Sequence, residues 1–205
     1  DTDHRLKGAL DLLEAIMTEP LFDALRTKQQ LGYVASCGAR CTQRVLGLSI
    51  WLMSAKVGPA EICKRVEAFL VDFRQQVQDL PAEDLERHVS SLAAQKLEPD
   101  RTLLSVQSGA WNELQERASL FDRHLHEAVA LASVGREDVL RLLDEAILPG
   151  AGDRRRLLVV AAVGGKAPTT KAAELEALQQ GYPGCRVLGS QAEFLEGASF
   201  FENLV

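Results

Sequence analysis

The spacing of apolar residues changes period along the chain, and this constrains the fold more than any other feature. Leu6, Leu10, Leu13, Ile16 and Met17 recur at helical spacing. The run Val45–Ser54 then alternates, with Leu46, Leu48, Ile50 and Leu52 on one side and Trp51 and Met53 on the other. Helical spacing returns from Pro59, a favoured residue at a first helical turn, with Ile62, Val66, Phe69, Leu70, Phe73 and Val77 on one stripe ending near Asp79. A chain that is helical, then alternating, then helical again fits an α+β layer, a mainly antiparallel sheet with several helices packed on one face.

The remaining elements follow from punctuation. A proline disfavours helical geometry in the residue before it, so the first helix is expected to stop near Glu19-Pro20, with a short helical turn over 21–27 after it. Leu31–Ser36 reads as a strand pairing with Val45–Ser54 in a hairpin whose tip, Gly38–Arg44, is expected to be long and mobile. Further helices are expected from Pro81 to near Pro99, over Thr102–Gln115 with Leu103, Val106, Ala110, Trp111 and Leu114 inward, over Glu127–Leu131, and over Arg136–Leu148. Leu157–Val163 is apolar throughout and of strand length, which predicts a sheet-centre strand. Gly164, Gly165, Pro168, Thr169 and Thr170 read as a connector before a helix over Ala172–Gln180, a turn at Tyr182-Pro183-Gly184, and a Ser190/Glu193 capping pattern. The expected division is a main α+β domain, 1–164, with a connector and helical tail, 165–205. Three strands are few for so many helices, and the chain starts abruptly, so strands are expected upstream of Asp1.

Composition excludes several roles. The chain has 205 residues and a formal charge of −6, and a nucleic-acid surface would need a basic stripe. Arg154, Arg155 and Arg156 are too few for a phosphate track. No apolar stretch approaches the ~18–20 residues that span a bilayer, and the N-terminus lacks the basic-then-apolar pattern of a secretory signal. A cytoplasmic protein is expected, with Cys37, Cys41, Cys63 and Cys185 as free thiols. Cys37 and Cys41 are expected to flank a bend between two strands, but no second pair at matching spacing completes a metal site. His4, His88, His124 and His126 form no H-E-x-x-H or H-x-x-E-H pattern. His124 and His126 share a face only on a strand, and their segment enters a helix. Cys63 has no candidate base, Gly165-Lys166 lacks the upstream glycine of a phosphate loop, and no Gly-x-Ser-x-Gly elbow occurs. No metal site is expected in this chain, and no catalytic residue.

One segment carries more, Glu19-Pro20-Leu21-Phe22-Asp23-Ala24-Leu25-Arg26-Thr27-Lys28-Gln29-Gln30-Leu31-Gly32-Tyr33-Val34. On a structural reading, Arg26 and Lys28 complement a helix C-terminus and Tyr33 packs on the sheet. On a functional reading, Arg26 and Tyr33 meet at one helix–strand junction. They would offer a charged guanidinium and a phenolic donor to a peptide carbonyl or the oxyanion it becomes.

This segment closely resembles the Glu-Pro-x-Phe-x-x-Leu-Arg-Thr-x-x-Gln-Leu-Gly-Tyr signature of the insulin-degrading enzyme, nardilysin and pitrilysin family of zinc metallopeptidases. Arg65–Leu70, Trp111 with Glu113, Phe121-Asp122-Arg123 and the tail Phe194–Leu204 resemble further family segments. The resemblance implies the fourth, non-zinc domain of a peptide-degrading enzyme built around a chamber. In it Arg26 and Tyr33 bind substrate, while zinc and its glutamate base belong to an N-terminal catalytic half of the same polypeptide. The fragment alone would bind no zinc and cut nothing. Peptides would be partners, nucleic acid and membrane would not, and an open sheet edge leads us to expect self-association. Two other readings stay open: a catalytically inactive homologue serving as a peptide-binding or assembly subunit, and a self-standing interaction domain.

Overall fold

The computed structural model describes residues 3–42, 45–116, 119–151, 154–164, 169–190 and 192–193. Helix α1, His4–Leu21, starts at Asp3, whose side chain accepts from the amides of Arg5 and Leu6. It does not stop at Pro20. It runs through the proline and continues without a break into a wider π-helical segment, Phe22–Lys28. Proline removes one helical donor and crowds the carbonyl four residues back. That local penalty is outweighed because Leu21 and Leu25, on the face the continued helix presents to the core, are fully buried. Each such side chain contributes about 1.5–3 kcal/mol of transfer free energy.

Strands β1, Val34–Thr42, and β2, Val45–Met53, form a two-stranded antiparallel sheet whose register runs from Val34 opposite Met53 to Thr42 opposite Val45. The expected long tip is therefore wrong. Gly38 and Cys41 lie inside β1, opposite Ser49 and Leu46, so Cys37 and Cys41 flank no bend. Ala35, Cys37 and Ala39 share a face with Leu46, Leu48, Ile50 and Leu52 and pack towards the core, while Trp51 and Met53 are exposed on the other face.

Helices α2 (Pro59–Asp79), α3 (Ala82–Lys96), α4 (Leu103–Gln115), α5 (Arg123–Leu131) and α6 (Arg136–Leu142) follow, α6 running on into a π-helical turn, Leu143–Ile147. The core forms where α1 meets α2, α3, α5, α6 and the sheet. Phe69, Phe73 and Val77 of α2 and Leu131, Val139 and Leu143 close it, with the Phe69 and Phe73 rings stacked at 5.5 Å. A charge network lies at its edge. Lys96 of α3 donates to Asp11 of α1 at 2.7 Å and to Glu127 of α5 at 2.6 Å, and Lys7 also pairs with Asp11.

Two expectations about apolar faces fail. Helix α4 forms, closed at its start by reciprocal bonds between Thr102 and Ser105, yet none of its residues is buried, and Leu103, Trp111 and Leu114 face outward. Local capping is enough to form this helix, and no described element covers its apolar side. Glu113 ties it to the following segment, accepting from Arg123 at 2.9 Å and from the Leu120 amide at 3.1 Å. Leu157–Val163 joins no sheet among the described residues, and Leu157, Leu158 and Val160 are exposed. A continuous apolar run signals a strand only where a ladder partner exists.

Helix α7, Lys171–Gly181, packs on α2. Its Glu174 accepts from the Ala60 amide at 2.8 Å, supplying the cap that Gly58 cannot provide. Tyr182 donates to Glu67 at 3.0 Å, and Glu67 also pairs with Arg155. The Ser190 hydroxyl accepts from the Glu193 amide at 3.2 Å, and the Glu193 carboxylate accepts from the Gly189 amide. The expected connector at 165–168 and tail at 194–204 lie outside the described residues. No described helix is long and apolar enough to cross a membrane.

Candidate functional site

The junction between the π-helical segment and β1 is fixed by backbone features. The amide of Gln29 reaches back to the carbonyl of Ala24, and that of Leu31 to the carbonyl of Leu25, so the helix end closes on itself. Gln30 adopts φ 49, a left-handed conformation costing a non-glycine residue about 1–2 kcal/mol. The buried Leu25 and Leu31 on either side hold it there. π-helical turns and such strained residues concentrate at functional sites.

Gly32 then passes directly over the end of β2. A Cβ at this position would lie 1.7 Å from the Met53 carbonyl oxygen and 2.7 Å from its carbon, so only glycine fits. The Ser54 hydroxyl donates to the Leu31 carbonyl and accepts from the amides of Lys56 (3.0 Å) and Val57 (3.2 Å), binding the crossing to the turn after β2.

This frame brings the two residues singled out from the sequence together. The Arg26 guanidinium carbon lies 5.0 Å from the centre of the Tyr33 ring and 4.6 Å from that of Phe22. Tyr33 is 80% exposed, so it does not pack on the sheet as the structural reading expected. Arg26 ion-pairs with no carboxylate among the described residues. Asp23, one helical turn before it, pairs with Lys28 at 2.8 Å. Two other arginines behave differently: Arg74 is held by both oxygens of Asp144 at 2.6 and 2.8 Å, and Arg123 is forked onto Glu113. Arg26 thus presents an unneutralised cation with donors left over, beside an exposed phenol. That combination can bind a carbonyl or a developing oxyanion. Phe22 is the member the sequence reading missed, although its position four residues before Arg26 in a helical stretch puts the two side by side.

The described residues do not fit a zinc site. No group of three His, Cys, Asp or Glu side chains converges on a point where an ion could sit. The two histidines that do meet, His4 and His126, stack their rings at 5.8 Å, and His126 also faces Asp122 at 3.3 Å. All four cysteines are free. Burial pushes the Cys37 and Cys63 thiols up from their ordinary range, leaving them protonated and poor nucleophiles.

Comparison with known proteins identifies the family. Residues 12–111 match a family model described as PQQ synthase PqqF-like, C-terminal lobe domain 4. A nardilysin-like protein of Arabidopsis thaliana is 37% identical over 155 residues, 76% of this chain and 15% of that protein. The insulin-degrading enzyme of Drosophila melanogaster is 31% identical over 178 residues, 87% of this chain and 18% of the relative. The chain thus spans less than a fifth of either relative's length. The crystal structure of pitrilysin shares the fold, with a TM-score of 0.64 over 71% of this chain and 16% of that one, at 17% identity. The chain belongs, as a C-terminal domain, to the inverzincin family of nardilysin, insulin-degrading enzyme and pitrilysin.

Proposed function

We propose that this domain supplies substrate-binding groups to the peptide chamber of a zinc metalloendopeptidase, with Arg26 and Tyr33 as the binding pair. Zinc would be held, and water activated, by residues outside this chain. The domain would be inert alone and would work joined to an N-terminal catalytic half of the same polypeptide. The observation that carries this reading is the meeting of an exposed phenol and a guanidinium unpaired among the described residues, at a junction held by the helix closure, the Gly32 crossing and the Ser54 bonds. Relatives named insulin-degrading enzyme support a peptide as the ligand.

The chemistry of the pair follows from its donors. The Arg26 guanidinium can donate to a peptide carbonyl through N–H groups that no carboxylate occupies among the described residues. The Tyr33 hydroxyl can donate to the same or a neighbouring oxygen. Both bonds strengthen as the oxygen gains negative charge, so they favour the tetrahedral state over the bound peptide.

The test is kinetic, in the full-length polypeptide. Arg26→Ala and Tyr33→Phe should each lower kcat, by up to about 10²–10³, with little change in folding stability because both side chains lie outside the core. Normal turnover in both variants would overturn the assignment.

A further inference from the structure

We propose that Phe22 is a positioning residue for Arg26, its ring holding the guanidinium in place without using the donors the peptide needs. The inference rests on the reading of Arg26 as a substrate-binding group.

An arginine side chain has many rotamers, and a donor that must meet a small oxygen has to be held near one geometry. Two other arginines of this chain are held by carboxylates, in the forked pairs Arg74–Asp144 and Arg123–Glu113. Such a pair neutralises the charge and takes up two N–H groups. At Arg26 the available carboxylate, Asp23, is turned to Lys28 instead, and the guanidinium lies over two rings, Phe22 at 4.6 Å and Tyr33 at 5.0 Å. A ring face attracts a cation through its quadrupole and accepts no conventional hydrogen bond in doing so. The charge and the in-plane donors therefore stay available.

The two rings are not equivalent. Tyr33 carries its own donor, is 80% exposed, and leaves the π-helical segment altogether. Phe22 sits on the same segment as Arg26, four residues earlier, where its spacing from the guanidinium is set by the backbone. Phe22 is also 40% exposed, while its neighbours Leu21 and Leu25 are fully buried. Core packing thus does not require an aromatic at position 22, and the cation beside it does.

The experiment is a double-mutant cycle on Phe22 and Arg26 in the full-length polypeptide, read as kcat and KM on a short peptide, with side-chain NMR of the 205-residue chain alongside it. Phe22→Leu keeps an apolar side chain but removes the ring. It should lower kcat about 3- to 10-fold with KM changed less than about twofold. Phe22→Tyr should restore the rate. In the Arg26→Ala background, Phe22→Leu should have almost no further effect, because the group it positions is gone. An equal loss in both backgrounds would mean that Phe22 touches the peptide directly, and would overturn the proposal. So would an unchanged kcat in Phe22→Leu when Arg26→Ala is slow. If Arg26→Ala is itself harmless, the binding assignment fails, and NMR still decides the positioning. The Arg26 Nε–H signal should be shifted upfield by the rings, move towards the free-arginine position in Phe22→Leu, and stay shifted in Phe22→Tyr. No movement in Phe22→Leu would overturn the proposal independently of activity.

Discussion

Replacing Gly32 with alanine sets a Cβ 1.7 Å from the Met53 carbonyl oxygen, 2.7 Å from its carbonyl carbon and 3.0 Å from the Ser54 Cα. All three neighbours are backbone, so no rotamer change relieves the clash. Met53 closes the ladder opposite Val34, and Ser54 is bonded to the Leu31 carbonyl, so the crossing and the end of β2 must separate together. Overpacking of this kind costs about 1–3 kcal/mol, and weakening two hydrogen bonds adds about 1 kcal/mol each. A loss of about 3–5 kcal/mol is expected, equivalent to a Tm drop of about 6–20 °C for a chain this long. Urea unfolding followed by circular dichroism measures it. Two other glycines serve as controls. A Cβ on Gly109, inside α4, meets nothing within 4 Å, so Gly109→Ala should stabilise by about 0.5–1 kcal/mol. A Cβ on Gly58 meets only the end of the flexible Glu174 side chain, so its alanine variant should cost less than Gly32→Ala. Stability of Gly32→Ala within about 0.5 kcal/mol of the parent would refute the close crossing that positions Tyr33.

Lys96→Met should destabilise by about 3 kcal/mol, because it leaves the Asp11 and Glu127 carboxylates facing each other without their shared cation. Burial opposes the charged form of Lys96, but bonds to Asp11 and Glu127 outweigh it and raise its pKa. Its contribution is therefore complete below the ordinary lysine value and lost as pH rises through the raised one, so the parent chain should lose the advantage over Lys96→Met only in strong alkali. We also propose self-association of the isolated chain, since both sheet edges lack a partner among the described residues and Leu157, Leu158 and Val160 are exposed. Sizing chromatography should show dimers or larger species, and a monomer at every concentration would contradict this.

What the sequence made legible was whatever local pattern alone decides. Helix α2 runs from Pro59 to Asp79 as its proline and apolar stripe indicate, and Phe69, Leu70, Phe73 and Val77 of that stripe are buried. β2 follows from its alternation. The errors lie where a distant partner decides. Gly38 looks like a turn residue, yet it pairs opposite Ser49, with the Trp51 ring 3.3 Å from where a Cβ would sit. Pro20 looks like a stop, yet burial of Leu21 and Leu25 carries the helix past it. Trp111 on α4 and the apolar run at Leu157 look like core, yet no described element covers them. At the site, the motif named Arg26 and Tyr33, whereas spacing alone offered no reason to prefer a binding role over a helix-end charge. Their meeting depends on the Gly32 crossing, a tertiary contact. Glu113 and Arg123, from two separate motif-like segments, likewise prove to be bonding partners.

The most direct measurement is a structure of the full-length polypeptide with an uncleaved peptide bound. Backbone carbonyl oxygens of the peptide are expected about 2.7–3.2 Å from the Arg26 guanidinium nitrogens and the Tyr33 hydroxyl, with Phe22 still under the guanidinium. A peptide bound elsewhere, with Arg26 and Tyr33 facing only solvent, would contradict it.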